Sequence, residues 1–150
     1  YGIVTTGNPE KEFLCRMTTD VEVIKSIDSF IKSDDMSFYS IDYSWQKGTH
    51  YKNGQFNPDW FIKQGNNITA VEVKDDAQIS DPDAENIGKN KAAIKHFNFI
   101  NEKHESEGNL TRYKFTFLTP KDFDIFFKKL SEKDIMNFKS QLDVKLADSK

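Results

Sequence analysis

Two stretches with alternating side chains, 55–63 and 68–74, close on the turn residues Gly65-Asn66-Asn67. Glycine and asparagine accept the left-handed backbone that tight hairpins need, so the two stretches are expected to be antiparallel neighbours. Successive side chains of a strand point to opposite faces. Val71 and Val73 then share one face, and Ala70, Glu72 and Lys74 share the other. The spacing therefore sets an acid and an ammonium side by side on one strand. Asp59, in Phe56-Asn57-Pro58-Asp59-Trp60-Phe61-Ile62, falls next to Glu72 across the ladder.

The rest of the chain supplies a scaffold for that hairpin. Asn8 and Pro9 open a helix over 9–19 as N-cap and first-turn proline, with Phe13, Leu14 and Met17 on one stripe. Glu10 projects from the same face, and from spacing alone it is read as a first-turn acid favoured by the helix dipole. Ile24, Ile27 and Ile31 keep helical spacing over 21–33, although the β-branched run at its start suits a strand, and Asp34-Asp35 ends the segment. Alternation of Tyr39, Ile41, Tyr43 and Trp45 predicts a strand over 37–45. Residues 46–54 read as a loop; Lys47, His50 and Lys52 in it could touch phosphate, but a solvated loop is the default. An acidic, turn-rich loop over 75–85 leads into a helix over 86–102 that carries Lys89, Lys91 and Lys95. A strand follows over 112–118, then helix starts at Thr119-Pro120-Lys121-Asp122 and at Ser131-Glu132-Lys133-Asp134. The pattern is that of one α/β domain over 1–150: a three-strand meander and a later strand in a mixed sheet of about four strands, flanked by helices.

Composition narrows the function classes. The chain has 150 residues, enough for one core, and its 37% hydrophobic and 30% charged content is that of a globular domain. No apolar run reaches membrane-span length and no signal-peptide pattern opens the chain, so no membrane partner is expected. A single Cys15 excludes an internal disulfide and a cysteine zinc site, which suits a reducing cytoplasm; it reads as a packing residue. The net charge of −3 argues against tight autonomous binding to a polyanion, yet acids are also where metal ions sit. The chain opens on Tyr1 rather than methionine, and the expectation is a piece of a longer protein.

Asp59 and Glu72, with the backbone carbonyl of Val73, offer the hard oxygen donors that Mg²⁺ prefers. Such an ion offsets charge on a phosphate and acidifies a bound water, and Lys74 beside the acids can orient that water. Two carboxylates facing a phosphate without a cation would repel it. The pattern thus points to metal-assisted phosphodiester hydrolysis. An exposed cross-strand acid–lysine pair would give the same letters, but the proline before Asp59 and the intervening hairpin favour a site.

Pro58-Asp59 followed by Glu72-Val73-Lys74 on the next strand resembles the signature of the PD-(D/E)xK nuclease superfamily, whose fold is restriction-endonuclease-like. Glu10 with Phe13, Phe56 to Ile62, Val71 to Lys74, Lys89, Ala93 and His96-Phe97, then Phe117 to Asp122, resemble the nuclease domain at the carboxyl end of type III restriction Res subunits and related DEAD/DEAH-box helicases. That resemblance implies Mg²⁺-dependent DNA cleavage, with Mn²⁺ as a substitute, by a fragment of a larger helicase–nuclease. It implies a helicase/translocase domain on the parent chain and a modification (methyltransferase) subunit as partners. It makes Glu10 a helper of the metal site and Lys89 a phosphate contact, with Lys91 as its rival. No GxxxxGK[ST] phosphate loop occurs, so no ATP site is expected in this segment. A resolvase or repair nuclease of the same superfamily and a non-catalytic helicase docking domain are the alternatives.

Overall fold

The computed structural model describes residues 8–33 and 39–149. Its centre is a four-stranded mixed sheet of order β1-β4-β5-β6, formed by Ser29–Lys32, Trp60–Gln64, Asn67–Val73 and Arg112–Leu118. β4 and β5 are antiparallel about the tight turn, in which Gly65 has a φ of 59°. β5 and β6 are parallel, joined by a crossover through the long helix α4, Ala84–Ser106. The sheet has helices on both faces, which is why β5 is buried over most of its length.

On one face Trp60, Ile62, Val71 and Val73 pack against α1 (Pro9–Thr19), α2 (Val21–Ser26) and α5 (Phe123–Ser131). Phe13 centres this layer, its ring 5.3 to 6.0 Å from those of Trp60, Phe123, Phe126 and Phe127. On the other face Ala70 packs with Ala93 and Phe97 of α4. α6, Gln141–Asp148, covers Phe117 through Leu142 and Leu146. Among the described residues no helix is long and apolar enough to cross a membrane.

Several expectations are corrected. The segment 21–33 is not one helix. α2 ends after Ser26 and the chain turns extended to become β1, where Asp28 N–H donates to the Lys63 carbonyl and residues 29–32 pair with β4. Ile31 of the expected stripe is exposed, because strand pairing with β4 overrides local helical spacing, and Ile24 is exposed on α2. Asp34-Asp35 and residues 37–38 of the expected strand 37–45 lie outside the described residues. The remainder of that strand is β2, Ile41–Lys47, which leaves the sheet and forms a separate two-stranded ribbon with β3, His50–Phe56. The expected strand 55–63 is broken at 57–59 between β3 and β4, and the expected loop 46–54 is mostly strand, with its turn at Gly48. It escapes the period-two rule because nearly all of β3 is exposed on both faces, leaving no apolar alternation to detect. Within 75–85 a short helix α3, Ala77–Ser80, interrupts the acidic stretch, and Asp83 caps α4 at the Asn86 amide. Last, Lys133 takes a φ of 58° and turns the chain, so the final helix starts later, capped by Ser140 with Asp143. The Asp143 carboxylate draws that turn onto the sheet by accepting from Thr116 Oγ1 and Phe117 N at 2.5 and 2.9 Å.

The ribbon is held to the domain by α4. Ala84, Gly88 and Ala92 recur every four residues and present a smooth ridge toward β2. A Cβ on Gly88 would stand 2.4 Å from the Ser44 carbonyl oxygen, so backbone has to move. Gly88→Ala should lower stability by about 1–3 kcal/mol through overpacking, exceeding the gain of about 1 kcal/mol in helix propensity. A urea unfolding midpoint that rises in this variant would contradict the close approach.

Candidate active site

β1, β4 and β5 bring the expected acids to one end of the sheet. The ladder pairs Trp60 with Val71, which leaves Asp59 just beyond β4 beside Glu72. Asp59 is clamped twice. Its carbonyl accepts from Ser33 N at 2.9 Å, and its Oδ2 accepts from Val73 N at 2.7 Å. The aspartate thus reaches across the end of the hairpin to the strand that carries the glutamate. Lys74 continues the β5–β6 ladder by donating its N–H to Leu118 O at 2.9 Å. Alternation then puts its Nζ 3.3 Å from Glu72 Oε2, as the Glu-x-Lys spacing requires.

Glu72 is buried, with 5% of its surface exposed, and its Oε1 has no hydrogen-bond partner among the described residues. Burying a carboxylate oxygen without a donor is costly, and the electrostatics reflect it. Burial, and then the neighbouring Asp59 charge, push the Glu72 carboxyl up to about 7, against the opposing pull of Lys74 and Lys89. Asp59 is also raised, first by burial; the Val73 N–H opposes the shift, Glu10 adds to it, and Lys74 and Lys32 oppose it. A buried and a half-buried acid side by side, both driven toward their neutral forms, make a site that a cation would relieve. The donor set is two carboxylates, and the orphaned Glu72 Oε1 fits Mg²⁺, a hard cation that retains several waters. Among the described residues no group of three or more His, Cys, Asp or Glu side chains assembles at metal-binding distance.

The outer residues separate clearly. Glu10, on the first turn of α1, is ion-paired with Lys32 of β1, and both charges act on Asp59. Lys89 of α4 is only 14% exposed along its side chain and points inward over the rings of Tyr43 and Phe56, 5.4 and 5.5 Å from their centroids. Its charge acts on Glu72, whereas Lys91 is exposed and lies along a groove on another side of α4. Helix rotation thus sets Lys89, and not Lys91, near Glu72.

Sequence reasoning missed three neighbours. Tyr43 donates its hydroxyl to Glu85 Oε2 at 2.6 Å, and Glu85 lies 3.9 Å from Lys89 Nζ. These two hold the Lys89 ammonium from both sides. Lys32 was hidden because its strand reads as helix. Only the β-branched, aromatic character of Phe30-Ile31 pointed to the edge strand that delivers it.

Comparison with protein-family models, with curated proteins and with solved structures yields no match.

Proposed function

We propose that this chain is a metal-dependent DNA endonuclease domain with a restriction-endonuclease-like core, serving as the cleavage module of a type III restriction-type enzyme. The observation that carries the reading is the buried Glu72 beside half-buried Asp59, with Lys74 Nζ 3.3 Å from Glu72 Oε2 and Glu72 Oε1 unsatisfied. A merely structural acid–lysine pair on a sheet would be exposed and satisfied; here the acid is buried and one of its oxygens has no donor.

Asp59 and Glu72, with the Val73 carbonyl, would hold Mg²⁺ or Mn²⁺. When bound, the ion supplies positive charge to the phosphate and lowers the pKa of a coordinated water. The remaining chemistry falls to the side chains. Lys74 orients the attacking water and shields the phosphate from Glu72. Lys89, fixed by Tyr43 and Glu85, offsets charge on the phosphate from the α4 side. Glu10 acts at one remove, holding Lys32 where both bear on Asp59, and is a positioning residue with a smaller role than the central acids.

In this reading a helicase/translocase domain drives movement along DNA, a methyltransferase subunit accompanies it, and the assembly works in the cytoplasm. The resemblance noted in the sequence supports this assignment, together with the mild acidity of the chain, which leaves strong DNA binding to other parts. The test is incubation of supercoiled DNA with the chain in Mg²⁺, in Mn²⁺ and in EDTA. Nicking is expected with either metal and none in EDTA. Intact DNA under every metal would overturn the proposal.

A further inference from the structure

Between the β2–β3 ribbon and α4 runs a groove of about 1420 Å³, larger than the roughly 300–1,000 Å³ of small-molecule pockets. Its two walls carry an unusual set of side chains. Among the described residues the large exposed hydrophobics include two aromatics, Tyr51 at 74% and Phe99 at 66%, and both line this groove. Neither is needed for the core, and their exposure costs solubility without packing benefit. Lys91, Lys95 and Phe99 recur every four residues and form one ridge of α4 along the groove. Across from them, Tyr51, Asn53 and Gln55 share one face of β3. The acid on that face, Asp42 of β2, accepts from Gln55 Nε2 at 2.8 Å, so its charge is partly engaged.

We propose that this groove takes an unpaired DNA strand, with bases stacking on Tyr51 and Phe99 and phosphates lying along Lys91 and Lys95. Aromatic platforms flanking a lysine ridge are the means by which proteins hold single strands without reading their sequence. A duplex hides its base faces inside the stack and offers nothing to Tyr51 or Phe99. Asn53 adds a side-chain amide that pairs with base edges. The inference rests on the nuclease reading for its choice of DNA, but not for the binding itself.

The test is fluorescence anisotropy of a labelled oligothymidylate with the whole chain in EDTA, where cleavage cannot interfere. Single strands are expected to bind more tightly than the matching duplex, with affinity falling as salt rises. Tyr51→Ala and Phe99→Ala should each weaken binding by about tenfold, Phe99→Tyr should restore it, and Lys91→Ala should flatten the salt dependence. Both aromatics are exposed, so unchanged melting temperatures will show that the variants are folded. Equal binding of duplex and single strand, wild-type affinity in both alanine variants, or no binding at all overturns the proposal. Binding that depends on Tyr51 and Phe99, combined with no cleavage under any metal, sinks the nuclease reading and leaves the groove standing. Cleavage combined with unaltered binding in the alanine variants sinks the groove alone.

Discussion

Replacing Asp59 or Lys74 by alanine is expected to reduce metal-dependent DNA cleavage by at least about a hundredfold, to the background of the EDTA control. The two losses have different origins. Asp59→Ala removes an oxygen donor from the pair, and Glu72 alone cannot hold a doubly charged ion against its own hydration. Lys74→Ala leaves both acids in place but removes the ammonium 3.3 Å from Glu72 that is proposed to orient the water and shield the phosphate. Asp59→Ala also orphans the Val73 N–H, at a stability cost of about 1–3 kcal/mol, so loss of activity in that variant has a second explanation. Asp59→Asn separates them. It keeps an acceptor for Val73 N–H while removing the charge, and it should melt near the wild type yet remain inactive. Gel assays of supercoiled plasmid, alongside melting curves, decide the matter; wild-type nicking by folded Asp59→Asn and Lys74→Ala proteins would exclude both residues from the chemistry.

Glu72→Gln should stabilise the fold at neutral and alkaline pH while destroying the site. The Glu72 carboxyl is raised in the folded protein from 4.5 to about 7, chiefly by burial and secondarily by Asp59. The folded state therefore holds the proton more tightly than the unfolded chain does. The stability this contributes is fully present below the unfolded value and is lost as pH rises through the folded one. A shift of this size corresponds to about 3 kcal/mol lost between acid and alkaline solution. Glutamine keeps the shape and an acceptor for Lys74 but never ionises. The melting temperature of Glu72→Gln should thus match the wild type near about pH 5 and exceed it progressively toward about pH 8. Mg²⁺ should narrow the gap by stabilising the wild type and not the variant, since a ligand of the native state raises its apparent stability. A difference in melting temperature that stays constant across this pH range would mean that Glu72 is not the buried, strained acid described here. Such a gain in stability on loss of the functional group is the usual trade at a catalytic site.

Much of the local chemistry was legible before the structure. The Asn8 cap and Pro9 start of α1, the Gly65 turn, the strand 112–118 and the helix start at Thr119 were each marked by residues whose own conformational preferences specify the backbone. What was not legible were elements whose structure depends on a distant partner. Residues 29–32 carry helical spacing yet form an edge strand because β4 offers an unpaired row of backbone groups. The ribbon 41–56 has one wall with no apolar periodicity, so its pairing is visible only where its strands meet. The late start of α6 depends on Asp143 reaching Thr116 and Phe117.

The sequence by itself determined the heart of the site. A hairpin of that turn chemistry sets Asp59 beside Glu72, and the two-residue period of a strand sets Lys74 on the same face. Both are consequences of backbone geometry over a few residues. Tertiary structure alone decided which outer groups join them: Lys89 rather than Lys91, Lys32 as the partner of Glu10, and Tyr43 and Glu85 as holders of Lys89. Those choices depend on the rotation of α4, set where Gly88 meets the Ser44 backbone, and on β1 pairing along β4. Contacts between elements remote in sequence are fixed by how whole surfaces pack, and no local pattern of residues encodes that.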